Sequence, residues 1–158
     1  MLGALMYASK RIMDILPNIH LIGVFTVASA VVFRKKALYP IYIFVILLGL
    51  LDGFSAWWMP HLYLWLILWT AVMLLPKGLE GKKAVIIYAA VCSLHGFLYG
   101  VLYAPFQAIV YHYDLEATLT WIATGLPFDI VHGVSNFIAG AVLIVPLIKL
   151  LNMAKKQA

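Results

Sequence analysis

The chain has 158 residues, of which 65% are hydrophobic and 11% charged, with a mean hydropathy of +1.02, where a soluble domain has about 45–50% apolar and about 25% charged residues. That balance excludes a soluble globular enzyme, a disordered chain, a fibrous repeat and a nucleic-acid-binding module. The net charge of +5 comes from short basic clusters at the ends of apolar runs, where they set orientation.

A hydrocarbon core about 30 Å thick takes about 20 helical residues per crossing, so the chain has room for about six spans and no separate soluble domain. Breaks at proline, glycine and charge clusters divide it into six apolar segments. The first, residues 1–16, lacks the basic flank and cleavage site of a signal peptide, so no leader is expected. It carries Lys10, Arg11 and Asp14 towards its far end. Charge inside a span is costly and points to function by default; the alternative is an Arg11–Asp14 pair at i, i+3 that reaches the interface. The segment stops at Pro17-Asn18. The second, 20–33, ends at Arg34-Lys35-Lys36. The third, 38–54, opens with Pro40 in its first turn, where a missing N–H costs little. The fourth, 61–75, follows Trp57-Trp58-Met59-Pro60 and ends at Pro76-Lys77-Gly78. The fifth, 83–104, contains Cys92, whose solitude excludes an internal disulfide. Residues 105–127, with Asp114 and Glu116, read as a loop holding a short helix. The sixth segment, 128–151, is followed by Lys155-Lys156. The runs are continuous rather than alternating, which excludes a β-barrel. The expected fold is therefore a single all-α integral membrane domain over 1–158, with six transmembrane helices, several of them short and accommodated by tilt, thinning or partial re-entry.

Arg34, Lys35, Lys36, Lys77, Lys82, Lys83, Lys149, Lys155 and Lys156 all fall on one side if the segments alternate, and the opposite loops hold no Lys or Arg. Both termini are thus expected in the cytoplasm. The outer loops hold aromatics, two acids and His20, His61 and His112.

Helical spacing gathers the remaining chemistry into faces. His61, Trp65 and Trp69 recur at i, i+4, i+8; His95, Tyr99 and Tyr103 do the same; Asp129, His132 and Asn136 stand at i, i+3, i+7. Polar groups within a span face the protein interior, so these three faces point to one outer pocket of rings and hydrogen-bonding groups. Trp65, Trp69, His95, Tyr99, Tyr103, Gln107, Trp121, Asp129, His132 and Asn136 are the substrate-binding candidates. Trp57, Trp58 and Tyr63 divide between that pocket and an interfacial belt. Gly96-x-x-x-Gly100, extended by Ala104, suits close helix packing; Ala4-x-x-x-Ala8 is a weaker pattern of the same kind. Ser-nucleophile, HExxH and phosphate-loop motifs are missing, so neither an enzyme nor a cofactor or resident metal is expected. A cross-helix set of His95, His132 and Asp129 leaves a membrane redox or metal-dependent enzyme subunit as one alternative. A self-contained carrier is another, although no inverted repeat is visible.

Six short spans with both ends inside, Ala4-x-x-x-Ala8, and Gly-Leu-Pro-Phe-Asp-Ile-Val-His-Gly-Val-Ser-Asn over 125–136 together resemble the substrate-binding S component of an energy-coupling factor (ECF) transporter. Pro60-His-Leu-Tyr-Leu-Trp, Leu-Tyr-Ala-Pro-Phe-Gln (102–107) and Arg-Lys-Lys-Ala-Leu-Tyr-Pro (34–40) are similar to a bacterial subgroup of these proteins. The resemblance implies a multi-pass protein of the bacterial cell membrane that captures a vitamin or related micronutrient outside. It also implies partners: a membrane coupling protein (the T component) and two cytoplasmic ATPases. By position, Ala4 and Ala8 would face the coupling protein, and the pocket would lie in the outer half of the later helices. Members of the wider group that carry nickel or cobalt have a histidine directly after the initiator Met; Leu2 counts against metal-ion transport here. The first helix is short at its start, as if Met1 lay within a longer natural helix. Rings suit a planar heterocycle and Asp129, with Asp52 beside it as a weaker candidate, suits a cationic or donor-rich one. A pyrimidine- or thiamin-like vitamin is thus favoured over a carboxylate such as biotin, a preference Arg11 would reverse if it faced the pocket.

Overall fold

The structure, a computed structural model, describes residues 1–157. It is all-helical: α1 (Leu2–Met13), α2 (Ile22–Phe33), a single 3-10 turn (Arg34–Ala37), α3 (Leu38–Asp52), α4 (His61–Leu74), α5 (Gly81–Phe97), α6 (Tyr99–Tyr111) and α7 (Leu115–Gln157). The punctuation follows the residues that cannot continue a helix or readily leave one. Gly53, at φ +98°, ends α3, a conformation that glycine adopts without a Cβ clash. His112 ends α6 in the left-handed region. Asp114 then starts α7 by accepting the Ala117 N–H at 2.8 Å through its side chain, the bond expected of an N-cap carboxylate.

Residues 105–127 are therefore not a loop with a short helix. Pro105 lies inside α6, and residues 115–127 form the first turns of α7. The chain reverses only at 112–114, where a left-handed residue and a capping acid occur together. A proline removes one ladder bond and bends the helix at its i−4 carbonyl, but the surrounding apolar turns carry the helix past it. Pro127 and Pro146 are passed in the same way within α7.

Two stretches, Gly81–Tyr111 and Leu115–Gln157, are long and apolar enough to cross a membrane. The 43 residues of α7 extend about 64 Å at 1.5 Å per residue. The helices α1 to α4 have 12, 12, 15 and 14 residues, about 18–23 Å each, short of a full hydrocarbon core. Their packing supplies the interior. Ten of the twelve residues of α2 are buried, and α1, α4, α5 and α7 surround it. Met6, Phe44, Leu48, Trp65 and Ile144 are among the fully enclosed side chains. Outward faces are apolar as well: Ile130, Ile138, Val142 and Leu150 of α7 are each more than half exposed. A helix apolar on its outer face and buried on the other matches a lipid environment.

α5 and α7 form the most extensive helix pair. The buried residues of α7 are Asp129, His132, Gly133, Asn136, Gly140 and Ile144, one stripe at steps of three and four. Opposite them lie Ala89, Cys92, Ser93 and Gly96 of α5. A Cβ placed on Gly96 would lie 2.9 Å from the Gly133 Cα, and one on Gly140 would lie 3.1 Å from the Ala89 Cα. Gly96 with Gly133, and Gly140 with Ala89, thus form a backbone-to-backbone seam, as small residues permit, whereas Gly100, beyond the break and on α6, abuts the Asp129 carboxylate.

Candidate functional site

The seam brings the polar stripe of α7 against the aromatic stripe of α5 and α6. Above Gly96 the helix breaks at Leu98, and the Gly100 N–H points out of the ladder to Asp129. Both carboxylate oxygens accept it, each at 3.1 Å. One turn further along α7, the His132 ring stands edge-on to Tyr99, with centroids 5.0 Å apart. His95 packs 5.9 Å from Tyr99 and 5.6 Å from Trp65. Trp65, on α4, also meets Tyr99 at 6.2 Å and His61 at 6.4 Å.

His20 completes the group. It follows the Pro17-Asn18 turn, in which Asn18 takes φ +58°. Its ring lies 4.7 Å from His132 and 6.0 Å from Trp65. The sequence offered only a weak signal for it: a histidine among the outer-loop residues, off any helical stripe. Desolvation pushes the His20 imidazole down from its usual range to about 4, so it is neutral at pH 7.

The hydrogen bonds fix two tautomers, because a carbonyl only accepts. His95 Nε2–H donates to the Leu64 carbonyl at 3.0 Å, which leaves Nδ1 as an acceptor. His61 Nδ1–H donates to the Trp58 carbonyl at 3.2 Å, and its Nε2 accepts the Tyr99 hydroxyl at 3.4 Å. Four buried atoms of the group have no partner: His20 Nδ1, His95 Nδ1, His132 Nε2 and the Trp65 Nε1–H donor. Buried polar atoms are ordinarily paired, and each exception calls for a cause. Here unpartnered groups from α4, α5, α7 and the α1–α2 loop stand within one set of touching rings.

The other candidates separate from this group to different degrees. Tyr103 stacks on Trp121 at 5.8 Å and donates its hydroxyl to the Trp57 carbonyl at 3.0 Å, one level further out. Trp121 also borders an open cleft of about 470 Å³ whose remaining walls are Tyr113, Asp114, Glu116, Ala117 and Thr120, not the histidines. Gln107 is half-buried on α6. Asn136 lies below the rings, giving its Nδ2–H to the Cys92 carbonyl at 3.4 Å. Trp69 lies apart. Its indole donates to the Arg34 carbonyl at 3.0 Å, at the end of the bundle where the lysine clusters lie. It shares a helical face with Trp65, but one turn carries it out of the group. Trp58 and Tyr63 tie elements together, through the Val45 carbonyl at 2.7 Å and the Leu102 carbonyl at 2.9 Å.

The charged trio of α1 is a network rather than a lone pair. Arg11 meets Asp14 at 2.7 Å, Lys10 meets Asp14 at 3.1 Å, and both reach Asp52 of α3, at 3.5 and 3.7 Å. Tyr7 donates to Asp52 at 2.7 Å. Asp52 is thus held by α1, and Arg11 points to acids rather than to the rings. Ala4 and Ala8 are exposed on α1, as are Leu5 and Ile12, at 53% and 77%.

Among the described residues no three His, Cys, Asp or Glu side chains are placed to share a metal ion. In the set His95, His132 and Asp129, the carboxylate is turned onto Gly100. Set against protein-family models, curated proteins and solved structures, the chain matches none of them.

Proposed function

We propose that this chain is a membrane-embedded substrate-binding subunit of the energy-coupling-factor type, which captures a small planar heterocycle, vitamin-like in size, and passes it inward with an ATPase-driven partner. The observation that carries the reading is the group of touching rings with unpartnered polar atoms. Trp65 offers a donor, His95 an acceptor and His132 a nitrogen of either kind, set among aromatic faces. A pocket of apolar walls with a few placed polar groups is what fixes a small ligand. No lysine or arginine belongs to the ring contacts, so a neutral heterocycle with adjacent donor and acceptor edges fits better than a carboxylate. Entry requires His20, the ring of the group that a loop carries, to withdraw from His132.

The wider topology belongs to the same proposal. The apolar outer faces and the one-sided lysines support a multi-pass arrangement in a bacterial cell membrane, with six crossings, both termini cytoplasmic, and a bilayer thinned around the short helices α1 to α4. The small-residue face at Ala4 and Ala8 is the surface assigned to the coupling protein. The test is titration of purified chain, without ATP, against pyrimidine- and thiamin-like heterocycles and biotin, read by tryptophan fluorescence. Saturable quenching by a heterocycle that Trp65→Phe abolishes is expected; no response to any small molecule would defeat the reading.

A further inference from the structure

At the end of the bundle opposite the histidines, α2, α4 and α7 finish around a concavity of about 470 Å³. Arg34, Lys35, Lys36, Lys77 and Lys155 line it, together with Val32, Phe33 and Met73 and with no acidic side chain. Among the described residues every ion pair belongs to Lys10 or Arg11, so these five cations have no carboxylate partner. Two of them do cap helix ends: Lys155 donates to the Val32 carbonyl at 3.3 Å and Arg34 to the Met73 carbonyl at 3.2 Å. Capping accounts for only part of the charge. A helix C-terminus carries about half a negative charge, so two ends offset about one of the five cations. A lysine has three N–H donors and an arginine five, which leaves most of them free after capping.

The backbone is bent to build this place. Arg34 adopts φ +54°, ψ −122°, a region a side-chain-bearing residue enters at a cost and keeps only where the surrounding structure over-determines it. That one residue turns α2 into the 3-10 turn and carries Arg34, Lys35 and Lys36 to the rim.

We infer that this concavity binds the phosphate of an anionic phospholipid headgroup. Uncompensated cations between helix ends at a membrane surface favour a headgroup of net negative charge over a zwitterionic one, whose phosphate is offset by its own cation. Val32, Phe33 and Met73 beside them offer apolar contact to the attached chains, which a free phosphate does not use. The inference depends on the membrane setting and not on what the ring cluster binds.

The test is native mass spectrometry of the full chain in mild detergent, titrated with phosphatidylglycerol or phosphatidylcholine. The chain is expected to retain phosphatidylglycerol preferentially. Lys36→Gln/Lys77→Gln, which changes two exposed residues, is expected to weaken that retention about 25-fold, about fivefold per charge removed. Lys82→Gln/Lys83→Gln, on the same side but outside the concavity, is expected to leave it unchanged. Equal retention of both lipids, or equal loss in both double variants, would overturn the assignment. So would glycerol phosphate competing as well as the intact lipid.

Discussion

The Asp129 carboxylate holds the Gly100 amide through both of its oxygens, each at 3.1 Å. That bond joins α7 to the point where α5 gives way to α6, and it fixes the levels of His132 and Tyr99 relative to each other. Asp129→Asn keeps one acceptor and presents an amide to a donor. We expect a loss of about 1–3 kcal/mol in stability, read as a lower Tm in detergent, with ligand binding weakened in parallel. Gly100→Ala drives a Cβ into the same carboxylate and should act in the same direction.

The seam makes a sharper contrast. Gly96→Ala places a methyl 2.9 Å from the Gly133 Cα, a backbone atom that cannot turn aside, and should cost about 1–3 kcal/mol. Gly125→Ala, on the same long α7 but facing open space, should stabilise by up to about 1 kcal/mol through helix propensity. Thermal unfolding of the two variants side by side reads out the close approach of α5 and α7.

The α1–α3 network predicts that Tyr7→Phe, which removes only the 2.7 Å bond to Asp52, costs about 1 kcal/mol. Asp52→Ala should cost more, because it also strips Lys10 and Arg11 of one of their two acids. Neither should change which small molecule binds, since neither residue touches the rings.

His20 gives a pH dependence. Its folded form titrates near 4 because the ring is desolvated, against about 6.5 in an unfolded chain. Between those values the unfolded chain binds the extra proton, so stability falls as pH drops from about 6.5 towards 4. His20→Phe should remove that part of the acid sensitivity; an unchanged stability–pH curve would place the histidine outside the group.

Much of this was legible in residue patterns, for identifiable reasons. The helical stripes of Trp65, His95, Tyr99 and His132 met in space because spacing alone determines a helix face. Trp69 shares the same stripe but lies outside the ring group, since a face does not say how far along the bundle a neighbour reaches. Pro105 looked like a terminus and was not: proline marks a boundary only where the following residues also favour a turn, and those came at His112 and Asp114. His20 lies in a loop, where no periodicity applies, and it is the turn at Asn18 that carries it beside His132. Asp129 is a buried polar group of a span, and its partner is a backbone amide released by the break at Leu98, which no side-chain pattern records.

The central claim is that the rings around Trp65 and His132 form a small-molecule site. Native mass spectrometry of the chain purified from a membrane, with its copurifying ligand, tests this most directly. The account predicts one bound small heterocycle per chain, retained without ATP and lost in both His132→Ala and Trp65→Ala. A chain that carries no small molecule and takes up none, or one that keeps its ligand in both variants, would contradict it.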